Sequence, residues 1–172
     1  VDVWASVRVE RQSDPLDGVT SETVWTNATA CPTPPLNHIG FVRTRDPDDA
    51  ALAQPPGGDE AFLTGDLTFD RSFRIDGAKP GTVATLNAGI RELLNSSSQE
   101  MEVHVEHGTV TCRRMGFISN EGEIADLIRI ATRLALALTL PPAEVPARLH
   151  DNVRNDPVAA VRRLNLALLV QH

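Results

Sequence analysis

The sequence predicts an α+β protein, in which helices cover a mainly antiparallel sheet and a pair of helices follows at the C-terminus. Alternating apolar and polar residues mark several short strands, two of which are joined by a tight turn at His107-Gly108. Elsewhere apolar residues recur every three or four positions, as in amphipathic helices. Because the order is strand, helix, hairpin and helix, and the strands are half polar, we expect helices on one face of an antiparallel sheet.

The first third of the chain is predicted to form strands separated by turns. The first strand has apolar residues at alternate positions, which are Val3, Ala5, Val7 and Val9. Two more strands are expected over residues 22–30 and 38–45, on either side of a proline-rich segment that excludes regular structure. Residues 46–59 contain prolines, a double glycine and several acidic residues, so we expect a mobile surface loop there and no core.

The middle of the chain is predicted to begin with a strand over residues 67–76. Its inner face carries Leu67, Phe69, Phe73 and Ile75. On its outer face Asp70 and Arg74, four residues apart, could pair, and a solvated strand face explains them equally well. A helix then begins at Pro80, and its apolar face consists of Val83, Leu86, Ile90 and Leu94.

The next predicted elements are a hairpin and the longest helix. Four residues of the hairpin are placed to pair across its strands, Val103 and Val105 with Val110 and Cys112. Asn120 can cap the helix with Glu123 at its third position, and Pro141-Pro142 ends it. The apolar stripe of this helix comprises Ile124, Leu127, Ile128, Ala131, Leu134, Ala135 and Leu138.

One shared core is expected from these elements, because each presents an apolar face and they are consecutive in the chain. Its predicted members are Phe69, Phe73, Leu86, Ile90, Val103, Val105, Leu127, Leu134 and Leu138.

The C-terminal segment shows the pattern of a helix pair. Asp156-Pro157 supplies a cap and a first-turn proline. Two apolar faces follow from the spacing, Val145, Leu149 and Val153 on the first helix, and Val158, Val161, Leu164 and Leu168 on the second. The run DP-x-x-x-VR with the following LALL resembles the second helix of a HEAT repeat. A single repeat cannot bury its apolar face alone, so either this pair packs on the preceding domain or it continues into a longer protein. In the second case the resemblance implies a protein partner or further helical repeats, contacted through Val161, Arg162, Leu164 and Leu168.

A second resemblance concerns the segment from Phe69 to Leu140, which combines F-D-x-x-F, a helix, a hairpin and an Ala/Leu-rich helix. This order resembles uncharacterised bacterial α+β domains that precede HEAT repeats in larger proteins. The resemblance implies an architecture and no active site. We therefore expect an α+β domain at residues 1–140 and a HEAT-like helix pair at residues 141–172, within a larger bacterial protein, as the missing initiator Met suggests.

Charge and composition argue against several classes of partner. A formal net charge of -7 repels phosphate backbones and anionic membrane surfaces, so we expect neither nucleic-acid nor membrane binding. No apolar run approaches the ~20 residues of a membrane span, and no signal-peptide pattern is present, which favours a soluble protein of the cytoplasm. Tyrosine is absent and the aromatic share is 4%, which leaves few stacking surfaces for nucleic acid or carbohydrate.

The most distinctive candidate site is the strand that carries Glu102, His104 and Glu106 at alternate positions. The three side chains leave one face and could bind a divalent metal if another ligand converged on them. The simpler explanation is a polar outer face, since Val103 and Val105 take the inner one.

Other reactive residues lack a supporting context. Cys31 and His38 could act as a thiol and its base, but Cys31 precedes a proline-rich loop and no cysteine motif surrounds it, while Cys112 is expected in the core. The short motifs of phosphate, dinucleotide, acyl-transfer and zinc-protease sites are absent, and no cofactor is expected. The sequence therefore favours a non-enzymatic protein-protein interaction or assembly module, with self-association through the strand edge at residues 3–9. A metal-dependent enzyme using Glu102, His104 and Glu106 is the alternative.

Overall fold

The computed structural model describes residues 1–13, 20–33, 36, 41–44, 61–76, 80–98 and 101–171. Its strands are β1 (Asp2–Ser13), β2 (Thr20–Cys31), β3 (Phe41–Thr44), β4 (Ala61–Phe62), β5 (Phe73–Asp76), β6 (Glu102–Glu106) and β7 (Thr109–Met115). Its helices are α1 (Leu67–Ser72), α2 (Pro80–Thr85), α3 (Ala88–Ser98), α4 (Glu121–Leu138), α5 (Val145–Asn155) and α6 (Ala159–Gln171). A turn of 3-10 helix at Pro142–Glu144 precedes α5. These elements form the predicted α+β fold.

The strands form one sheet in the order β1-β2-β7-β6-β3-β5-β4, and every neighbouring pair is antiparallel. β1 and β2 pair over their whole length, from Asp2 opposite Cys31 to Ser13 opposite Thr20. β7 lies between β2 and β6, so it joins the N-terminal hairpin to the rest of the sheet. The predicted antiparallel sheet is therefore confirmed. The predicted loop at residues 46–59 and His38 lie outside the described residues.

The hairpin of β6 and β7 has the predicted turn and register. Val103 lies opposite Cys112, and Val105 lies opposite Val110. The backbone φ angles are 49° at His107 and 80° at Gly108. Two consecutive positive φ angles are typical of the two-residue turns that match the twist of a hairpin. All four paired side chains are buried, so this face of the hairpin belongs to the core.

Helix α4 packs across β2 and β7 on that same face of the sheet. Asn120 caps it, because its side chain accepts hydrogen bonds from the backbone N–H groups of Gly122 and Glu123, at 2.8 and 3.4 Å. The buried residues of α4 are Leu127, Ala131, Leu134, Ala135 and Leu138. With α1 and α3 beside it, α4 closes the single core that the sequence predicts, and Ile90 packs against this core as a partly buried residue. No helix in the described part of the chain is long and apolar enough to cross a membrane.

The strand predicted over residues 67–76 is wrong in its first half, which forms helix α1. Asp66 decides this, because its side chain caps the backbone N–H groups of Thr68 and Phe69, at 3.2 and 3.4 Å. Phe69 and Phe73 still reach one core, with ring centroids 4.8 Å apart. Residues four apart also share a helix face, so the pattern fits both structures. The chain becomes extended only at Phe73, where β5 begins.

Asp70 contacts the turn before α1, and its expected pairing with Arg74 stays a prediction. The Asp70 carboxylate accepts hydrogen bonds from the Thr64 backbone and hydroxyl, at 3.0 and 2.8 Å, and from the Gly65 backbone at 2.9 Å. Because Asp70 is on a helix, its side chain points back along the chain. The carboxylate therefore fixes the turn that leads into α1.

The single helix predicted from Pro80 is also wrong, because it divides into α2 and α3 at Leu86 and Asn87. The Asn87 side chain accepts a hydrogen bond from the Ile90 backbone at 3.1 Å, which starts a new helix. As a result Val83 leaves the main core and contacts the C-terminal helices, whereas Leu86 stays in the core.

The two C-terminal helices form the predicted helical hairpin and pack on α2. Their shared cluster contains Val83, Ala84, Leu140, Val145 and Leu149, with Leu164, Leu168 and Leu169 partly buried against it. Asn152 is buried and donates hydrogen bonds to the Ala84 carbonyl and to the Asn165 side chain, both at 3.0 Å. A Cβ atom at Gly65 would lie 2.5 Å from the Ala160 Cβ. The helix pair is therefore closely joined to the domain that precedes it.

Candidate functional site

The face of the sheet opposite α3 and α4, called here the open face, carries the polar residues of the central strands. Strand alternation places Glu102, His104 and Glu106 of β6 on it, as the sequence predicts, while Val103 and Val105 are buried on the other side. The β7 partners of these residues are Arg113, Thr111 and Thr109. The next strand, β2, adds Trp25, Asn27 and Thr29 in register with β7.

Arg113 is the centre of a charged network on the open face. Its Nε donates to Glu102 at 2.6 Å, and its Nη1 donates to Glu10 of β1 at 3.1 Å. The guanidinium lies 4.3 Å from the centroid of the Trp25 ring, a cation–π contact. Trp25 is buried, and its indole N–H has no hydrogen-bond partner among the residues that the structure describes. Arg113 of β7 thus contacts side chains from three other strands, which are β1, β2 and β6.

Electrostatics keep Glu102 ionised. His104 Nε2 lies 3.4 Å from Glu102 Oε2, and this hydrogen bond lowers the pKa of the Glu102 carboxyl. Burial raises this pKa, whereas the contact with Arg113 lowers it further. The net pKa of Glu102 is below its ordinary value. Glu102 is therefore an acceptor that His104 and Arg113 already occupy.

The predicted metal ligands share a face but do not form a ligand set. Within the described parts of the chain, no group of three His, Cys, Asp or Glu side chains is placed to hold a metal ion together. Glu102 bonds Arg113, and Glu106 lies beside the turn, with its carboxylate 3.9 Å from His107 Nδ1. The metal-dependent alternative stays a prediction without support from this geometry.

The open face also holds a cavity of about 410 Å³ that opens to solvent. Its lining is almost entirely polar and comprises Ser6, Val7, Arg8, Asn27, Thr29, His104, Glu106, Thr111 and Arg113. Thr29 and Thr111 lie opposite each other, and their hydroxyl oxygens are 3.1 Å apart. Asn27 is only 8% exposed although it lies beside this cavity. The sequence marked β6 as polar but gave no sign that β1 and β2 would complete a cavity.

The predicted interaction residues on α6 make contacts within the chain. Val161 is buried, and Leu164 and Leu168 pack against the cluster that joins α6 to α2 and α5. Arg162 donates hydrogen bonds to the backbone carbonyls of Asp156 and Pro157, at 2.6 and 3.3 Å. Leu164 and Leu168 therefore help to attach the helix pair to the domain, whereas Arg162 bonds the turn between α5 and α6.

The opposite side of α6 is exposed and mostly apolar. The helix positions on this side are Ala159, Arg163, Leu166, Ala167 and Val170, called here the outer stripe. Leu166 is 48% exposed and Val170 is 80% exposed. The spacing of three and four residues places them along one line of the helix surface. This is a second candidate site, and it differs from the face that the sequence predicted.

A buried arginine connects the domain to the helix pair, which the sequence analysis did not foresee. Arg91 of α3 is 2% exposed and donates two hydrogen bonds to Asp156, at 2.9 and 3.0 Å. It also donates to Asp66 at 2.8 Å and to the Leu86 carbonyl at 2.7 Å. Asp156 additionally accepts from the Val158 backbone at the start of α6. One guanidinium therefore holds the starts of α1 and α6 together.

The ionisation of this network follows from its contacts. Burial disfavours the charged form of Arg91, but its hydrogen bonds to Asp156 and Asp66 outweigh burial and raise its pKa. Burial likewise acts to raise the pKa of Asp66, but hydrogen bonds from Arg91 and the Phe69 backbone prevail and lower it. Arg91 and Asp66 are therefore both charged at neutral pH.

The two cysteines lie in different environments. Burial raises the pKa of the Cys112 thiol to about 12, so this side chain stays protonated and behaves as a core residue, as predicted. Cys31 is half-buried, and its sulfur lies 3.9 Å from the Pro32 carbonyl oxygen. Its suggested base, His38, is outside the described residues.

These observations define an α+β protein whose sheet carries a polar cavity on its open face and whose C-terminal helical hairpin is fixed to α2 and α3. No family model, curated protein or solved structure matches the chain. The family resemblances stated from the sequence thus stay predictions. The open face and the outer stripe are the two candidate surfaces for a function.

Acid should destabilise the protein through Glu102 and Asp66. A carboxyl whose pKa is lower in the folded chain contributes stability above its ordinary pKa, and this contribution is lost as the pH falls through the folded value. We expect the free energy of unfolding to decline below about pH 4.5, measured by urea denaturation, and Glu102→Gln to reduce that decline. The exposed Glu144 provides the control, since Glu144→Gln should leave it unchanged. Identical pH profiles for all three proteins would contradict the assigned contacts.

Proposed function

We propose that the protein is a non-enzymatic protein-protein interaction or assembly module that docks through the outer stripe of α6. The observation that carries this proposal is the exposure of Leu166 and Val170 on a helix whose other side is fixed to the domain. Exposed apolar side chains that continue along one helix face are typical of protein-binding surfaces.

The attachment of α6 supports this proposal. Its inner side is held by Val161 and by the buried pair Asn152 and Asn165, and its start is held by Arg91 through Asp156. A helix fixed in this way cannot rotate to bury its outer stripe in the same chain. A rigid surface also loses little conformational entropy on binding.

A second copy of the chain is the partner that we propose. Antiparallel pairing of two α6 helices about a two-fold axis near Leu166 and Ala167 makes the stripe self-complementary. The same pairing brings Arg163 beside Val170 of the other copy, close to the C-terminal end of that helix. Helix C-termini carry partial negative charge, so a cation there is favourable.

The expected association is weak. A stripe of about three helical turns covers less than the roughly 800 Å² per partner of a standard interface. We therefore expect a dimer with a dissociation constant on the order of 0.1 to 1 mM.

Sedimentation velocity over a concentration series tests the proposal. The wild-type chain should show a sedimentation coefficient that rises with concentration, because the dimer population grows. The double variant Leu166→Glu and Val170→Glu should remain monomeric, since charges in the stripe oppose apolar contact.

The matched control is Leu136→Glu on α4, where Leu136 is similarly exposed at 57% but lies outside the outer stripe. This variant should associate like the wild type. A wild-type chain that stays monomeric at every concentration, or a double variant that associates as well as the control, would rule out the stripe as the docking surface.

A further inference from the structure

We propose that the cavity on the open face binds a neutral, polyhydroxylated molecule of about the size of a monosaccharide. The inference rests on an amide that faces the cavity, on the chemistry of the cavity wall and on the position of Trp4. It is independent of the outer stripe of α6.

The first observation is the side chain of Asn27. It lines the cavity and is only 8% exposed, yet it has no hydrogen-bond partner among the described residues. A side-chain amide offers two N–H donors and a carbonyl acceptor. The amide atoms of Asn27 are not enclosed but face the solvent of the cavity, where the polar atoms of a ligand can bond them.

The neighbouring wall consists of groups that can both donate and accept hydrogen bonds. Thr29 and Thr111 present hydroxyls 3.1 Å apart, and Ser6 presents another. His104 adds a ring whose Nε2 contacts Glu102. Ligand hydroxyls have the same dual character as these groups, so a polyol can match each of them in either direction.

The charges around the cavity favour a neutral ligand. Arg113 is the least exposed cation in the wall, and Glu10 and Glu102 already bond its guanidinium. Arg8 lies 3.6 Å from Glu10 as well. An anionic ligand would have to compete with these carboxylates, whereas a neutral hydroxyl group can bind without displacing them.

Trp4 supplies a stacking surface beside the polar wall. It is the cross-strand partner of Thr29, so both side chains project from the open face. Trp4 is 48% exposed. The C–H face of a sugar ring packs on such an aromatic ring. The aromatic share of 4% argued against a carbohydrate binder, but the fold places Trp4 next to Thr29 of the cavity wall. The volume of about 410 Å³ lies within the range of small-molecule sites.

Titration of ¹⁵N-labelled protein with D-glucose, D-galactose and D-mannose, followed by NMR, tests this inference. At least one sugar should shift the side-chain amide signals of Asn27 and the indole signal of Trp4 in a saturable way. A dissociation constant on the order of 1 mM is expected for an open, shallow site. Glycine and inorganic phosphate serve as charged probes and should not saturate the same signals.

Two variants separate binding from folding. Asn27→Ala should abolish the saturable shifts while its melting temperature stays equal to that of the wild type or rises, because the amide has no partner to lose. Trp4→Ala should weaken binding about tenfold, as expected for a lost aromatic contact. Val9→Ala, on the opposite face of the same strand, should bind like the wild type.

The inference would be overturned if no sugar gave saturable shifts, or if only glycine or phosphate did. It would also be overturned if Asn27→Ala melted at a lower temperature and still bound sugar, since Asn27 would then be a structural residue. Should Asn27→Ala fail to fold, the exposed Trp4 decides the question, and unchanged affinity in Trp4→Ala counts against the site.

Discussion

Replacing Arg91 with alanine should destabilise the protein by about 3–5 kcal/mol, because it leaves two carboxylates without their cation. Asp156 is almost fully buried and receives two of the hydrogen bonds of Arg91, and Asp66 receives a third. Water cannot easily replace the guanidinium in this position, since Arg91 itself is 2% exposed. The loss would be a large fraction of the ~5–15 kcal/mol that stabilises a typical domain.

Urea unfolding of Arg91→Ala and hydrogen exchange at the backbone of α5 and α6 would measure this effect. We expect exchange protection to fall first at the start of α6, where Asp156 also bonds the Val158 backbone. Arg154→Ala, at an exposed position of α5, should change stability by less than about 0.5 kcal/mol. A similarly small change in Arg91→Ala would show that the buried contacts contribute little.

Truncating Phe73 to alanine should cost about 3–5 kcal/mol, because it removes a fully buried ring from the main core. Phe73 is 1% exposed and stacks on Phe69. The matched control is Leu67→Ala, six residues earlier, since Leu67 is 73% exposed and should lose less than about 0.5 kcal/mol. Calorimetric or urea unfolding of both variants would compare the two losses.

Equal losses in Phe73→Ala and Leu67→Ala would contradict the assignment of these residues to opposite environments. The comparison also tests the corrected structure of the segment. A continuous strand over residues 67–76 would place Leu67 and Phe73 on one buried face, whereas a helix that ends at Ser72 exposes Leu67. The variants thus distinguish the two structures in solution.

The sequence predicted the elements whose signals are local and unambiguous. The hairpin at His107-Gly108 and the cap at Asn120 were both foreseen, because turn residues and caps act within a few positions. Residues 67–76 were misassigned in part because Phe69 and Phe73 are compatible with both periodicities. Only the cap at Asp66 separates them.

Long-range contacts account for what the sequence could not show of the sites. Nothing near Arg91 indicates that Asp156 will meet it, because the two are 65 positions apart. The cavity likewise needs Asn27 from β2 beside Arg113 from β7, a register that alternation alone does not fix. The sequence predicted that Glu102, His104 and Glu106 share a polar face. It did not predict that Arg113 would bond Glu102, because this contact depends on how β6 and β7 pair.

The position of β7 between β2 and β6 has a consequence for how the chain folds. The hairpin of β1 and β2 can form from neighbouring residues, but its attachment to β7 joins groups such as Thr26 and Gly116 that are 90 positions apart. Contacts of such sequence separation form slowly, because a long loop has to close before they stabilise anything. During refolding, the N-terminal hairpin should therefore acquire amide protection later than the hairpin of β6 and β7, whose strands are joined by two residues. The strand that carries Asn27 and the strand that carries Arg113 meet in this late step, so the cavity they share is completed only when folding ends.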